Sequence, residues 1–305
     1  MTSATRVRER WYGGDTELNA RMLITMSLLA ALYLAFLVVL YKAGVGFIAL
    51  AIVGAVGILM QYFVSDQMVL WTTGARVISP EEAPDLHAVI DRLAALVDLP
   101  KPQVAIIDTS IPNAFAIGRS PEHSVVVVTT GLISQLKPPE LEAVIAHELS
   151  HIKNRDVAVV TIASFLSTVA FMVVRFSFWF GGDDDRRSDR EGTNWTVLAY
   201  VSALVVWVLS LLLIRTLSRY REYAADRGSA IITGSPSHLV SALLKINDEI
   251  QRIPERDLRE VQGANAFFIV PALTGDSLLE FFSTHPSLVH RVERLQQMER
   301  KIEGM

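Results

Sequence analysis

The residues best suited to chemistry lie in one short segment, HELSH, which runs from His147 to His151. On a helix, residues four apart project from the same face, so both imidazoles can reach a single metal ion. Glu148 follows the first histidine and can lie beside an open coordination position, where it would take a proton from water. Because the chain contains no cysteine, a metal must be held by His, Asp or Glu side chains. The spacing therefore predicts a catalytic zinc site.

The alternative is an exposed helix face whose histidines bind nothing. Against it, apolar side chains recur along the same helix, at Leu141, Val144, Ile145, Leu149 and Ile152. This periodicity is typical of a helix packed into a core, where two histidines and a glutamate are costly to bury unless they bind something. We therefore favour the metal site.

A catalytic zinc that keeps one position open needs a third protein ligand. The candidate segment is RYREYAAD, residues 219–226, in which Glu222 and Asp226 are four residues apart. Glu222 can bind the ion, while Asp226 can accept a hydrogen bond from a ligand histidine. Taken alone, such a pair among arginines is more often a solvated helix face. Asp156, five residues after His151, could also support a ligand, but a solvated position is favoured.

Four long apolar segments must position these motifs, at residues 22–41, 43–64, 157–180 and 195–214. About twenty helical residues cross the roughly 30 Å hydrocarbon core of a bilayer. Only the third segment carries a charge, Arg175 near its end, which can extend to the interface. HELSH leads into the third segment and Glu222 follows the fourth. An antiparallel hairpin of these two segments would therefore bring both motifs to one membrane surface.

Basic residues near the ends of the apolar segments predict the orientation in the membrane. Ten lie on the side shared by the termini and both motifs, and five lie on the other: Arg6, Arg8, Arg10, Arg21, Arg76, Lys153, Arg155, Arg215, Arg219 and Arg221, against Lys42, Arg175, Arg186, Arg187 and Arg190. We therefore expect a multi-pass protein of the plasma or inner membrane. Its termini and both motifs would face the cytoplasm.

The parts outside the membrane are expected to be mostly helical, with helices over 80–97, 138–156, 237–250 and 286–301, and a continuation of the fourth apolar helix to 231. Residues 103–108 and 124–129 predict short strands, and 111–118 predicts a turn leading into an exposed edge. The predicted order is a cytoplasmic segment (1–21), a membrane hairpin (22–64), the first part of a catalytic domain (65–156), a second membrane hairpin (157–214, with an outside loop at 181–194) and the second part of the catalytic domain (215–305).

Several motifs together resemble one known family. HELSH followed by KNRD, then REYAAD and THPSLVHRVERL, with PNAFAIG upstream, are similar to the HtpX group of membrane zinc metallopeptidases, relatives of the CAAX prenyl proteases. The resemblance spans nearly the whole chain. It implies a mostly α integral membrane protein with four transmembrane helices and a zincin-like metalloprotease domain containing a small β-sheet. It also implies endopeptidase activity at the cytoplasmic face, in quality control of misfolded membrane proteins under stress.

The resemblance also implies roles for individual residues. His147, His151 and Glu222 would hold one Zn²⁺ per subunit, with Glu148 as general base. His285 and Arg291 match a C-terminal motif proposed to stabilise the oxyanion of the tetrahedral intermediate, although His285 alone reads as the residue ahead of a helix. The Asn113, Ala114 and Phe115 stretch matches a substrate-facing edge, to which an extended peptide could add as a strand. The four other histidines are interpreted as surface or structural residues: His87, His123, His238 and His290.

Charge and topology weigh against other classes of function. The net charge is −4, so there is no basic field to recruit nucleic acid. The expected partners are the bilayer and polypeptides, especially unfolded or membrane proteins. One alternative is a membrane-anchored binding protein that keeps the zinc fold without cutting. Another is a dedicated prenyl-peptide processing enzyme, which four spans disfavour because they leave no large intramembrane chamber.

Overall fold

The structure, a computed structural model, describes residues 16–43, 69–180, 195–253 and 286–304, with positions 46, 52, 55, 56, 59, 269 and 270. Four predictions fall wholly or mostly outside these residues. They are the N-terminal segment (1–21), the second apolar segment (43–64), the loop 181–194 and His285.

A four-stranded mixed sheet lies in the part of the chain outside the apolar helices. Its strands are β1 (Arg76–Val77), β2 (Gln103–Ile107), β3 (Ala114–Gly118) and β4 (Ser124–Thr129), in the order β1-β2-β4-β3. β2 and β4 are parallel, whereas β1 and β3 pair antiparallel with their neighbours. β4 contains four consecutive valines and is buried along its whole length, as expected of a central strand. The two predicted strands are therefore present, and β3 forms an edge beside them.

Helices make up most of the remaining described chain. They are α1 (Thr16–Lys42), α2 (Pro84–Leu96), α3 (Thr130–Gln135), α4 (Pro138–Lys153), α5 (Asp156–Phe180), α6 (Trp195–Thr233), α7 (Pro236–Arg252) and α8 (Leu288–Glu303). α4 begins with two prolines, whose fixed φ suits a first helical turn.

The main core forms around α4. Its apolar side chains, including Ile145 and Leu149, are fully buried among β4, α2, α7 and α8. α4 also packs along the C-terminal part of α6. The helix that carries HELSH is thus a core helix, which its apolar periodicity predicted.

The predicted helix over 138–156 is broken near its end. α4 ends at Lys153, and Arg155 adopts a left-handed conformation with φ of 55° before α5 begins at Asp156. In an unbroken helix Asp156 would lie about 140° around the axis from His151. The break removes that constraint, and its consequence for the site is described below.

Three of the described helices are long and apolar enough to cross a membrane: Thr16–Lys42, Asp156–Arg175 and Val197–Thr233. They correspond to the first, third and fourth predicted segments. α6 runs without interruption from the apolar segment through the REYAAD motif, as predicted, and ends two residues later than expected.

The membrane helices pack through small and aromatic residues. Ala163 of α5 and Ala203 of α6 are buried in a cluster with Phe36 of α1. The Tyr33 hydroxyl of α1 donates a hydrogen bond to the Ala163 carbonyl at 2.5 Å. These contacts join α1, α5 and α6 into one bundle.

Candidate metal centre

Small residues on α6 allow it to cross α4 at close range. A Cβ added at Gly228 would lie 2.2 Å from Oγ of Ser150 and 2.7 Å from its Cβ, so a larger residue would displace Ser150. The neighbouring Ser229 hydroxyl donates to the Ala143 carbonyl across the crossing at 2.6 Å. The sequence motifs did not single out Gly228 or Ser229. Their shared signal is a pair of small residues two and three positions beyond the REYAAD motif.

The crossing brings the three predicted ligands to one point. Nε2 of His147 and Nε2 of His151 are 3.2 Å apart. The Glu222 carboxylate lies 3.6 Å from the first nitrogen and 3.5 Å from the second, through a different oxygen for each. Ligand atoms of a tetrahedral zinc site with bonds of about 2.0–2.1 Å are about 3.3 Å from one another. The three side chains can therefore hold one metal ion.

Asp226 lies behind the first histidine, where the sequence placed it. Nδ1 of His147 is 3.1 Å from Oδ1 of Asp226, and both side chains are buried. Burial lowers the pKa of His147, but the carboxylates of Asp226 and Glu222 outweigh it and raise this pKa to about 9. The two carboxylates thus favour a positive charge in the cluster that contains His147.

Asp156 is not solvated, contrary to the expectation. It is 1% exposed, and its Oδ2 lies 2.6 Å from Nδ1 of His151. Its other oxygen lies 2.9 Å from Nε of Arg221 on α6. The helix break at Arg155 makes this contact possible, and a continuous helix over 138–156 would have kept Asp156 away from His151. Periodicity alone therefore could not find Asp156 or Arg221.

Glu148 lies inside the site and is 4% exposed. Burial raises the pKa of its carboxyl, and Glu222 adds to the rise, while His147 and His151 oppose it. The backbone amide of Ala116, on strand β3, also lowers the pKa of this carboxyl. Glu148 is therefore buried beside His147 and His151.

Arg291 is the largest fully buried side chain, and it faces Asp226. Its Nε and Nη2 donate to the two oxygens of Asp226 at 2.9 and 2.6 Å, and its Nη1 donates to the Ile269 carbonyl at 2.6 Å. Asp226 outweighs the desolvation of the guanidinium and raises the pKa of Arg291. Each of the three guanidinium nitrogens thus has a protein acceptor, and Nη1 also lies 3.5 Å from the Glu222 carboxylate, so Arg291 borders the metal centre.

The side chains of the PNAF stretch are buried. The prediction of an exposed edge is therefore wrong as far as the exposure of these side chains is concerned. Ala114 points into the main core, and Phe115 packs on the opposite face of the sheet, because strand residues alternate between two covered faces. Asn113 is 4% exposed, and its side-chain oxygen accepts from the Ile269 backbone N–H at 3.1 Å. The edge position of β3 follows from the strand order.

Two histidines on one helix turn, with a glutamate after the first and a third candidate ligand from another helix, match the donor set of a metallopeptidase. Residues 80–299 match the sequence model of Peptidase family M48, and the chain belongs to this family. The resemblance seen in the motifs is thereby confirmed, and the chain is a membrane metalloprotease.

Relatives match along nearly the full length. A protein named Protease HtpX homolog from Moorella thermoacetica is 56% identical over 96% of this chain and 98% of its own length. Protease HtpX homolog 2 from Methanosarcina acetivorans is 55% identical over 96% of this chain and 99% of its own length. These proteins and the three apolar helices indicate a multi-pass membrane protein.

The fold also resembles a solved structure. The crystal structure of Ste24p from S. mikatae matches with a TM-score of 0.56, over 92% of this chain and 67% of that protein, at 18% identity. At this identity the match concerns the fold alone. It supports the mostly helical architecture with a small mixed sheet, whereas the metallopeptidase domain follows from the family match.

Proposed function

We propose that the chain is a zinc-dependent endopeptidase whose ion is held by His147, His151 and Glu222. The observation that carries the proposal is the convergence of these three side chains, at 3.2–3.6 Å from one another, beside the buried Glu148. When bound, zinc would polarise the scissile carbonyl and activate a water in the fourth position. A polypeptide is the substrate class that a peptidase fold implies.

Glu148 acts as the general base and then as the general acid. It takes a proton from the attacking water and delivers that proton to the nitrogen of the departing amine. Its burial, which raises the pKa of the carboxyl, favours holding the proton between these two steps. The backbone amide of Ala116 and the two histidines oppose this rise and favour the carboxylate that accepts the proton.

The substrate adds as an extended strand along β3. An edge strand offers backbone donors and acceptors to a peptide of any sequence, which suits a protease of unfolded chains. Asn113 anchors the start of this edge through its bond to Ile269, and Ala114 and Phe115 fix the strand by burying their side chains on opposite faces. His285 remains the proposed oxyanion donor, whereas Arg291 acts by positioning Asp226.

The first experiment tests the chemistry with the full chain in detergent. Glu148→Gln is expected to keep zinc and to lower casein cleavage by about 10²–10⁴-fold, because only proton transfer is lost. Glu142→Gln is the matched control, since Glu142 lies on the same helix in an exposed ion pair with Arg92. Chelator-sensitive cleavage by Glu148→Gln at the wild-type rate would refute the role of Glu148. His147→Ala is expected to lose the metal.

We further propose that the active site faces the cytoplasm and serves quality control of membrane proteins. The support is the ten-to-five distribution of basic residues and the position of Glu222 eight residues beyond an apolar segment. A site this close to the bilayer would meet segments of membrane proteins as they leave the lipid. In that setting, misfolded membrane proteins are the proposed substrates.

The absence of native cysteine makes the orientation directly testable. Arg252→Cys, at an exposed position, should react with a membrane-impermeant maleimide only after the cells are permeabilised, whereas Ser188→Cys should react in intact cells. The reverse pattern would contradict the cytoplasmic site.

Comparing N-terminal peptides from cells with wild-type protein or Glu148→Gln would identify substrates. Preferential cleavage of a farnesylated peptide would instead favour prenyl-peptide processing.

A further inference from the structure

The contacts behind the second histidine join the metal centre to the membrane helices. Oδ2 of Asp156 lies 2.6 Å from Nδ1 of His151, and Asp156 is the first residue of α5. A carboxylate that accepts from Nδ1–H fixes the imidazole tautomer and leaves the Nε2 lone pair for a metal. The orientation of this ligand therefore depends on a residue at the entrance of a membrane helix.

Arg221 supplies the charge that lets Asp156 be buried. Nε of Arg221 lies 2.9 Å from Oδ1 of Asp156, and the two side chains are 11% and 2% exposed. A carboxylate at this depth is strongly disfavoured unless a cation accompanies it. Arg221 immediately precedes the proposed ligand Glu222, so one segment of α6 provides both a ligand and the partner of Asp156.

Each of the two histidines thus has a carboxylate and then an arginine behind it, and the two pairs come from different parts of the fold. His147 is backed by Asp226 and then Arg291, which belong to the end of α6 and to α8. His151 is backed by Asp156 and then Arg221, which lie where α5 and α6 leave their apolar segments. The contacts of Asp156 with His151 and Arg221 form only when the ends of α5 and α6 lie side by side.

We infer that Asp156 and Arg221 are positioning residues for His151, and that they make the metal affinity depend on the docking of α5 against α6. This inference rests on the proposed metal site. Neither residue touches the ligand position itself, because Asp156 reaches His151 through Nδ1 and Arg221 reaches Asp156. Their effect is to hold Nε2 of His151 towards Nε2 of His147 and Glu222.

The test measures zinc affinity of the full chain in nanodiscs by competition with a chromophoric chelator, together with thermal unfolding of the metal-free protein. Asp156→Asn is expected to weaken zinc binding by about 10–100-fold, the range found when the hydrogen-bond partner of a ligand histidine is removed. Arg221→Gln should weaken it in the same direction, and Arg221→Lys should recover part of the loss. Arg92→Gln, which breaks an exposed ion pair, is the matched control and should leave the affinity unchanged.

A double-variant cycle separates positioning from general destabilisation. If Asp156 and Arg221 act on His151 as a unit, Asp156→Asn with Arg221→Gln should weaken zinc binding no more than Asp156→Asn alone. Zinc affinity within twofold of wild type in a folded Asp156→Asn protein would overturn the inference. If that variant does not fold, unchanged affinity in Arg221→Gln would overturn it equally. Failure of the wild-type chain to bind zinc would instead refute the proposed function.

Discussion

The two halves of the molecule differ in where most of their large apolar side chains lie. Around the metal centre most of them are inside, and Leu243 of α7 is completely buried. On the membrane helices some are buried between helices, such as Phe36, but many face outward, so that Leu204 and Val201 of α6 are 38% and 47% exposed while Ala203 between them is fully buried. Burial from water stabilises the first half, whereas lipid is as apolar as leucine and close packing of small residues must hold the second. The comparison shows two solvents acting on one chain.

The largest effect expected from the difference between the two halves is a pH dependence of zinc affinity, which concerns only the half that carries the metal site. A metal ligand histidine must be unprotonated, and the pKa of His147 is raised to about 9 without a metal. Zinc affinity should therefore fall about tenfold for each pH unit below 9. Chelator competition between pH 6 and 9, corrected for protonation of the chelator, measures the slope, and flotation with liposomes should not change over that range. A flat profile would show that no proton leaves His147 when zinc binds.

Truncating one leucine in each half should show whether burial from water and contact with lipid stabilise the two halves differently. Leu243→Ala is expected to cost about 2–5 kcal/mol of unfolding free energy, because it leaves a cavity in a packed core. Leu204→Ala should cost less than about 1 kcal/mol, because lipid refills the space. Unfolding of both variants in the same micelles by a denaturing detergent provides the measurement. Equal losses would mean that the two halves do not differ in this way.

Enlarging a small buried residue should test whether the membrane helices need to approach one another closely. Ala203→Leu forces a larger side chain into the contact among α1, α5 and α6, with an expected cost of about 1–3 kcal/mol. Val201→Leu, two residues earlier on the exposed side, is the control and should be near neutral. A neutral Ala203→Leu would show that the helices do not need their close approach.

The smallest expected effect concerns a single hydrogen bond between membrane helices. Tyr33→Phe removes the bond from the Tyr33 hydroxyl to the Ala163 carbonyl and should cost about 0.6 kcal/mol, the typical value inside a bilayer. Tyr41→Phe, at a tyrosine of the same helix that is 59% exposed, should cost nothing measurable. A loss of several kcal/mol would make this bond more important than close packing in the bundle.

Features that follow from the spacing of apolar residues or from the order of the apolar segments could be predicted from the sequence. The placement of HELSH on a core helix follows from apolar residues at helical spacing, and the continuity of α6 follows from an unbroken run without proline or glycine over most of its length. The approach of Glu222 to the two histidines follows from topology, because consecutive apolar segments must return to the same membrane surface. The first two inferences use information that lies close together in the chain, and the third needs only the order of the apolar segments.

What the sequence could not predict depends on single backbone angles and on close crossings. Asp156 reaches His151 only because Arg155 adopts a left-handed conformation, and nothing in KNRD signals that break. Gly228 matters because Ser150 lies opposite it across the helix crossing. The burial of Phe115 required knowing that both faces of the sheet are covered. In each case the cause is a tertiary contact between distant or oppositely facing residues.

The uninterrupted helix α6 has a mechanical consequence. Its 39 residues span about 58 Å at 1.5 Å per residue. Glu222 lies about 25 Å from residue 205, near the middle of the apolar part, at the same rise per residue. A rod pivoting at that middle by 1° would displace Glu222 by about 0.4 Å, which exceeds the tolerance of about 0.2 Å within which metal–ligand distances are held. Because helices tilt when bilayer thickness changes, a tilt of α6 as one rigid rod would displace Glu222 from the histidines unless α4 moved with it.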